Sequence, residues 1–122
     1  MRLPRPGPGF EWKTTAVAPA LVCTALDAVA PHLFTTRGFL LGSTRTGEEP
    51  WRQLAETLGG TSLVRLRQVH GADAVVATCP VPVEPPEGDI LLAGPDGPAI
   101  AVQGADCIPL LIADRRLGVV AA

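Results

Sequence analysis

Apolar positions along the 122-residue chain follow two different periods. Between Pro50 and the pair Gly59-Gly60, apolar side chains recur at helical spacing, at Trp51, Leu54, Ala55 and Leu58. Proline suits the first turn of a helix and glycine ends one, so this stretch predicts a helix over Trp51–Leu58. After Gly60 apolar and polar positions alternate, which is typical of strands.

The second half of the chain predicts a series of strands. The stretch Ser62–Val69 places Val64, Leu66, Gln68 and His70 on one face. Ala74–Thr78 predicts a second strand, antiparallel to the first, and Asp89–Ala93 a third. Three apolar runs follow and are expected to be strands buried on both faces: Ala99–Gln103, Ile108–Ala113 and Leu117–Ala122.

The first half is less regular. Residues 1–9 are rich in proline and glycine, and Phe10–Ala30 has room for one or two short elements ended by Pro19 and Pro31. Leu33–Arg37 predicts a short strand. We therefore expect an α+β fold with mixed, mostly antiparallel sheets and a few packing helices. Residues 1–30 form an N-terminal extension and 31–122 the main domain, which we expect to be incomplete because its last apolar run ends without a turn residue.

Composition narrows the function classes. Ten basic and twelve acidic residues give a net charge of −2, which does not favour binding to nucleic acid or an anionic membrane. Pro19 and Asp27 interrupt the one apolar stretch near the N-terminus, which is too short for a membrane span. Three cysteines without a CxxC pair favour a reducing cytoplasm over a disulfide scaffold.

Three residues are candidates for chemistry. His70 ends a predicted strand just before a glycine, where it is either a metal ligand or a partly buried histidine bonded to the backbone. Cys107 lies between two apolar runs. It is interpreted as a ligand, a nucleophile or a small buried apolar residue. Arg37, at the end of LFTTR, suits either a phosphate site or a solvated surface.

Other polar residues are candidates for supporting roles next to these three. Asp106 and Asp89 are candidates either for orienting a ligand or for capping a turn. Gln68 shares the predicted face of His70 and is a further candidate for an orienting role. His32 follows Pro31 and is interpreted as a loop residue, with a site role as the alternative.

Two segments together resemble a known family. RQVHGADAVVAT (residues 67–78) and GDILLAGPDGPAIAVQGADCIPLLIAD (residues 88–114) are similar to the YfiH-type laccase-domain family, as is LFTTRG at residues 33–38. Members of this family were long called multicopper polyphenol oxidases. They are now described as zinc-dependent purine nucleoside phosphorylases with adenosine deaminase activity. The resemblance covers residues 33–122.

The resemblance implies a zinc site and its substrates. It places His70 and Cys107 as zinc ligands, with a third histidine expected in a segment beyond Ala122. Zinc-bound hydroxide would attack the purine C6 in deamination, whereas phosphorolysis needs an anion site, for which Arg37 is the candidate. Purine nucleosides and phosphate are thus the expected partners. The loop between Gly38 and Trp51 is shorter than is common in the family.

Alternative functions stay open at this point. The older family name implies copper-dependent phenol oxidation, although two histidines are few for several copper centres. A role in editing peptidoglycan precursors is a second enzymatic alternative. The non-enzymatic alternative is an inactive fragment or a binding domain.

Overall fold

The computed structural model describes residues 2–42, 47–60 and 62–122. The chain divides into two compact units, residues 1–59 and 60–122. None of the helices in the described residues has the length and apolar character needed to cross a bilayer.

The first unit begins with an antiparallel hairpin. Strands β1 (Phe10–Lys13) and β2 (Ala20–Cys23) pair so that Phe10 lies opposite Cys23. A short helix α1 (Thr24–Asp27) follows β2 directly. The pattern of apolar residues and prolines predicts one or two short elements for this stretch, and the structure has three.

The strand predicted over Leu33–Arg37 is wrong. Phe34 alone forms a bridge, to Leu21, and a turn of 3-10 helix then runs over Arg37–Phe39. A Cβ placed on Gly38 would lie 2.6 Å from the Cβ of Ala18, so only glycine fits at this close approach. Gly38 therefore allows the 3-10 turn to pack against Ala18.

Helix α2 (Glu49–Thr57) confirms the predicted helix, beginning two residues earlier. Pro50, Trp51, Leu54 and Ala55 are buried, which is the face that the helical spacing predicts. On the opposite, exposed side the Arg52 guanidinium forms ion pairs with both Glu49 and Glu56. The acidic first turn also complements the helix dipole.

The second unit contains six short strands: β3 (Leu63–Val64), β4 (Ala74–Val76), β5 (Ile90–Ala93), β6 (Ala99–Ile100), β7 (Ile112–Asp114) and β8 (Val119–Ala121). Strands β3 and β6 form a parallel pair. The other four form a sheet in the order β4-β5-β8-β7, parallel between β4 and β5 and antiparallel elsewhere. The α+β class with mixed sheets is confirmed.

The predicted antiparallel pairing of the second strand with the first is wrong. Strand β4 pairs with β5, in parallel, with Ala74 opposite Ile90. Parallel neighbours need a long connection, and the proline-rich segment between Val76 and Ile90 supplies it.

One face of this four-stranded sheet carries the core. Leu91 and Ala93 of β5 are buried together with Val64, Leu66 and Ala77. Because side chains alternate along a strand, the neighbouring positions point to the other face.

The other face is apolar and open. Val76, Leu92, Ala121 and Ile112 lie in one row across the four strands, and Val76 and Ile112 are 67% and 62% exposed. Ile108 and Leu110, in the approach to β7, are also exposed. The expectation that the three last apolar runs are buried on both faces is wrong, because every residue in these three runs is half-buried or exposed.

Candidate functional site

His70 lies at the end of a segment that is paired on both sides. Leu63 and Val64 pair with β6, and the Arg67 N–H donates to the Pro86 carbonyl at 2.8 Å. Val64 and Leu66 are buried, as the alternation predicts, whereas His70 is exposed and has a left-handed backbone with φ of +60°. The alternative of a partly buried histidine is therefore wrong, because the His70 side chain is exposed.

His32 has that structural role instead. It is 8% exposed, its Nε2 accepts the Cys23 N–H at 2.9 Å, and its Nδ1 lies 3.1 Å from the Ala30 carbonyl oxygen. Since a carbonyl oxygen only accepts, Nδ1 is the donor in this pair. Its place in a loop is confirmed, and both ring nitrogens are already engaged.

Cys107 lies in a bend after β6. Residues 105–107 form this bend, Asp106 has a φ of +65°, and the Cys107 side chain is a free, exposed thiol. The alternative of a small buried apolar residue is therefore wrong. The exposure leaves the thiol open to a ligand or a reactant.

Gln68 joins the segment of His70 to the segment of Cys107. Its Nε2 donates to the Gln103 carbonyl at 2.8 Å, and its Oε1 accepts the Gln103 N–H at 2.7 Å. The pairing that begins between Leu63 and Ala99 is thus extended to Gln68 and Gln103. His70 lies two residues after Gln68, and Cys107 lies four residues after Gln103. Both candidates therefore come shortly after the same paired region.

Asp89 holds the backbone on either side of His70. Its Oδ1 accepts the His70 N–H at 3.0 Å, its Oδ2 accepts the Gly71 N–H at 2.8 Å, and the Val69 N–H lies 3.2 Å from Oδ1. The N–H of Gly71 is the largest cause that lowers the pKa of Asp89 below its ordinary value of 3.8, and desolvation opposes it. The carboxylate therefore stays ionised under the loop.

An imidazole and a thiolate are donors that zinc accepts. Among residues 2–42, 47–60 and 62–122, however, no three His, Cys, Asp or Glu side chains lie close enough to hold a metal ion together. A catalytic zinc needs three protein ligands, so the described side chains do not complete such a site by themselves.

Arg37 is exposed at the start of the 3-10 turn in the first unit. It belongs to a different unit from His70 and Cys107. Part of the short loop between Gly38 and Trp51, residues 43–46, lies outside the described residues.

Sequence reasoning missed two parts of this arrangement. The sequence indicates a capping role for Asp89 but not the N–H groups that it accepts, which lie 18 to 20 residues earlier in the chain. It did not single out Gln103, which bonds Gln68 through its backbone and so leaves no side-chain signal. The signals available were the glycines beside the two partners, Gly88 next to Asp89 and Gly71 next to His70.

Sequence comparison with known proteins identifies a family and several relatives. A sequence model of the multi-copper polyphenol oxidoreductase laccase family matches residues 43–122. A purine nucleoside phosphorylase of Deinococcus radiodurans is 36% identical over 122 aligned positions, covering 86% of this chain and 47% of the relative. Purine nucleoside phosphorylases of Streptomyces coelicolor and Streptomyces griseus are 44% and 42% identical over 49% of this chain and 25% of each relative. The chain thus spans half or less of the length of these relatives. No solved structure matches.

Proposed function

The chain belongs to the multi-copper polyphenol oxidoreductase laccase family, and from this premise we propose that the protein is a purine nucleoside phosphorylase. The observation that carries the proposal is that three similar proteins share this name. In phosphorolysis a phosphate oxygen bonds to the ribose C1′ while the bond from C1′ to the purine nitrogen breaks. The leaving base takes up a proton.

The roles of the side chains are part of this proposal. His70 and Cys107 act as metal-binding residues, and zinc is the metal that a nitrogen and a sulfur donor suit. Support comes from the exposure of both side chains and from the Gln68 link between their segments. Adenosine deamination is the second reaction proposed for the same site. Arg37, an exposed guanidinium, is the candidate for binding phosphate.

Phosphorolysis is favoured over copper-dependent oxidation of phenols. Oxygen reduction at several copper centres needs many imidazoles. The three similar proteins are named purine nucleoside phosphorylases, and both ring nitrogens of His32 in this chain are engaged by the backbone. The three free cysteines support a reducing compartment such as the cytoplasm.

The test uses the intact purified gene product. It measures whether free base is released from adenosine, inosine and guanosine, and whether this release depends on phosphate. Bound zinc is measured on the same samples. Cys107→Ala is expected to lower both zinc content and turnover by at least about tenfold. Cys79→Ala removes an equally free and exposed thiol and is expected to leave both unchanged. Release that does not depend on phosphate, or that survives Cys107→Ala, contradicts the proposal.

A further inference from the structure

The loop that carries His70 closes around a single carboxylate. Three successive N–H groups, those of Val69, His70 and Gly71, point at the two oxygens of Asp89. Successive N–H groups converge in this way when the chain turns through a left-handed residue, forming a small concave site for an anion. Here the anion is a side chain of the protein itself.

His70 is the left-handed residue of this turn, with φ of +60°. A residue with a Cβ adopts this conformation at a cost of roughly 1–3 kcal/mol, so the surroundings must hold it there. Hydrogen bonds to an ionised carboxylate are stronger than bonds between neutral groups. The Asp89 carboxylate is thus the group that offsets the backbone cost at His70.

Asp89 is itself fixed by the fold. Its own N–H and that of Ile90 both lie within hydrogen-bonding distance of the Asp73 carbonyl, at 3.1 and 3.2 Å. A Cβ on Gly88 would lie 3.0 Å from the Val75 side chain and 3.1 Å from the Asp73 carbonyl, so the backbone here packs closely against β4. Two residues after Asp89, Leu91 is fully buried. The backbone that carries this carboxylate is therefore held in place by β4 and by the buried core of the sheet.

We infer that Asp89 is a positioning residue, which sets the direction of the His70 imidazole by holding the backbone of residues 69–71. It acts through the backbone and not through the ring. The consequence for catalysis rests on the proposed function of His70. The consequence for the backbone does not, and it can be tested separately.

The first experiment compares Asp89→Asn with Asp114→Asn. Asp114 is a matched control, because its Oδ1 accepts two backbone N–H groups, those of Arg116 and Leu117, in the turn between β7 and β8. An amide has one accepting oxygen and an NH2 group that repels the other N–H donors. Nuclear magnetic resonance shifts of His70 report its φ, and the ring of His32 serves as an internal reference.

The expected result is that Asp89→Asn moves the His70 and Gly71 backbone shifts away from left-handed values. Asp114→Asn leaves them in place and alters only its own turn. If the His70 shifts stay left-handed in Asp89→Asn, the inference is wrong. Should this variant fail to fold, Asp89→Glu keeps the charge and moves it by one methylene. Unchanged His70 shifts in Asp89→Glu would show that the loop does not depend on where the carboxylate lies and would also overturn the inference.

The second experiment uses phosphorolysis by the intact gene product. Asp89→Asn is expected to lower kcat/KM by about tenfold with the fold retained, whereas Asp114→Asn leaves it unchanged. Equal kcat/KM in Asp89→Asn and wild type overturns the catalytic part of the inference. A wild-type protein without phosphorolysis contradicts the proposed function instead, and the resonance shifts then decide the role of Asp89 alone.

Discussion

The side chain of Gln68 is bonded in both directions to the backbone of Gln103, donating to its carbonyl and accepting its N–H. An amide side chain has one donor group and one acceptor, so it matches a backbone unit as a neighbouring strand would. In this way Gln68 continues the parallel pairing of β3 with β6 past the point where the regular strands end. It connects the segment of His70 to the segment of Cys107.

The first prediction concerns this link. Gln68→Ala removes both hydrogen bonds and is expected to lower the free energy of unfolding by about 1 kcal/mol. Gln68→Glu keeps an acceptor for the Gln103 N–H but places an ionised oxygen against its carbonyl, so it is expected to cost more than Gln68→Ala. Urea unfolding at neutral pH measures both changes.

Gln53→Ala is the control for this series, because the Gln53 amide bonds Glu49 on the exposed side of α2. It is expected to change stability by less than about 0.5 kcal/mol. If Gln68→Glu is as stable as wild type, the two-way bond between Gln68 and Gln103 does not contribute to the fold.

The second prediction tests the left-handed backbone at His70. With φ of +60°, this position penalises any Cβ, so His70→Gly is expected to be more stable than His70→Ala by about 1 kcal/mol. Both variants lose the imidazole, so the difference between them reports the backbone alone. Thermal and urea unfolding provide the measurement.

The neighbouring Ala72 provides the opposite expectation. It is exposed in the same loop and is not among the described residues with positive φ. Ala72→Gly is therefore expected to lower stability, through the larger entropy of the unfolded chain. If glycine is favoured at position 72 but not at position 70, the assigned backbone conformation is wrong.

The sequence predicts local features of this protein better than distant pairings. Helix α2 follows from Pro50 and four apolar positions, and the buried positions Val64 and Leu66 follow from alternation. The partner of β4 does not, because a strand pattern contains no information on which strand lies beside it. The contacts of Asp89 with Val69, His70 and Gly71 are hidden for the same reason, since they join backbone atoms to a side chain far along the chain.

The third prediction concerns the core of the second unit. Leu91 is fully buried on β5, so Leu91→Ala is expected to lower the free energy of unfolding by about 2–5 kcal/mol. Leu110→Ala makes the same chemical change at a residue that is 68% exposed and is expected to cost less than about 0.5 kcal/mol. Similar losses in the two variants, measured by urea unfolding, would contradict the assignment of the core to this face.

The fourth prediction concerns the open face of the four-stranded sheet. Exposed apolar surface binds hydrophobic dyes and promotes association. Val76→Lys places a charge on this face and is expected to lower dye fluorescence and self-association of the folded 122-residue chain. Val83→Lys is the matched control, because Val83 is fully exposed in the proline-rich loop and belongs to no strand. An equal effect of both substitutions would show that net charge, not the sheet face, controls association.

The fifth prediction concerns the acid stability of helix α2. The hydrogen bond from Arg52 is the largest cause that lowers the pKa of Glu49 below its ordinary value of 4.5. A carboxyl whose pKa is lower in the folded state stabilises that state above its unfolded pKa. This contribution is lost as the pH falls through the folded pKa. The free energy of unfolding is therefore expected to decrease below about pH 4.5.

Arg52→Gln removes the cause of this shift and is expected to flatten that part of the pH profile. Arg115→Gln, in the exposed turn between β7 and β8, removes the same charge elsewhere and is expected to leave the profile unchanged. Because the Arg52 pairs are exposed, high salt should weaken their contribution, so wild type and Arg52→Gln should converge as salt is added. A steeper acid limb in Arg52→Gln than in wild type would contradict the role of Arg52, since removing a cation can only raise the pKa of Glu49 towards its unfolded value.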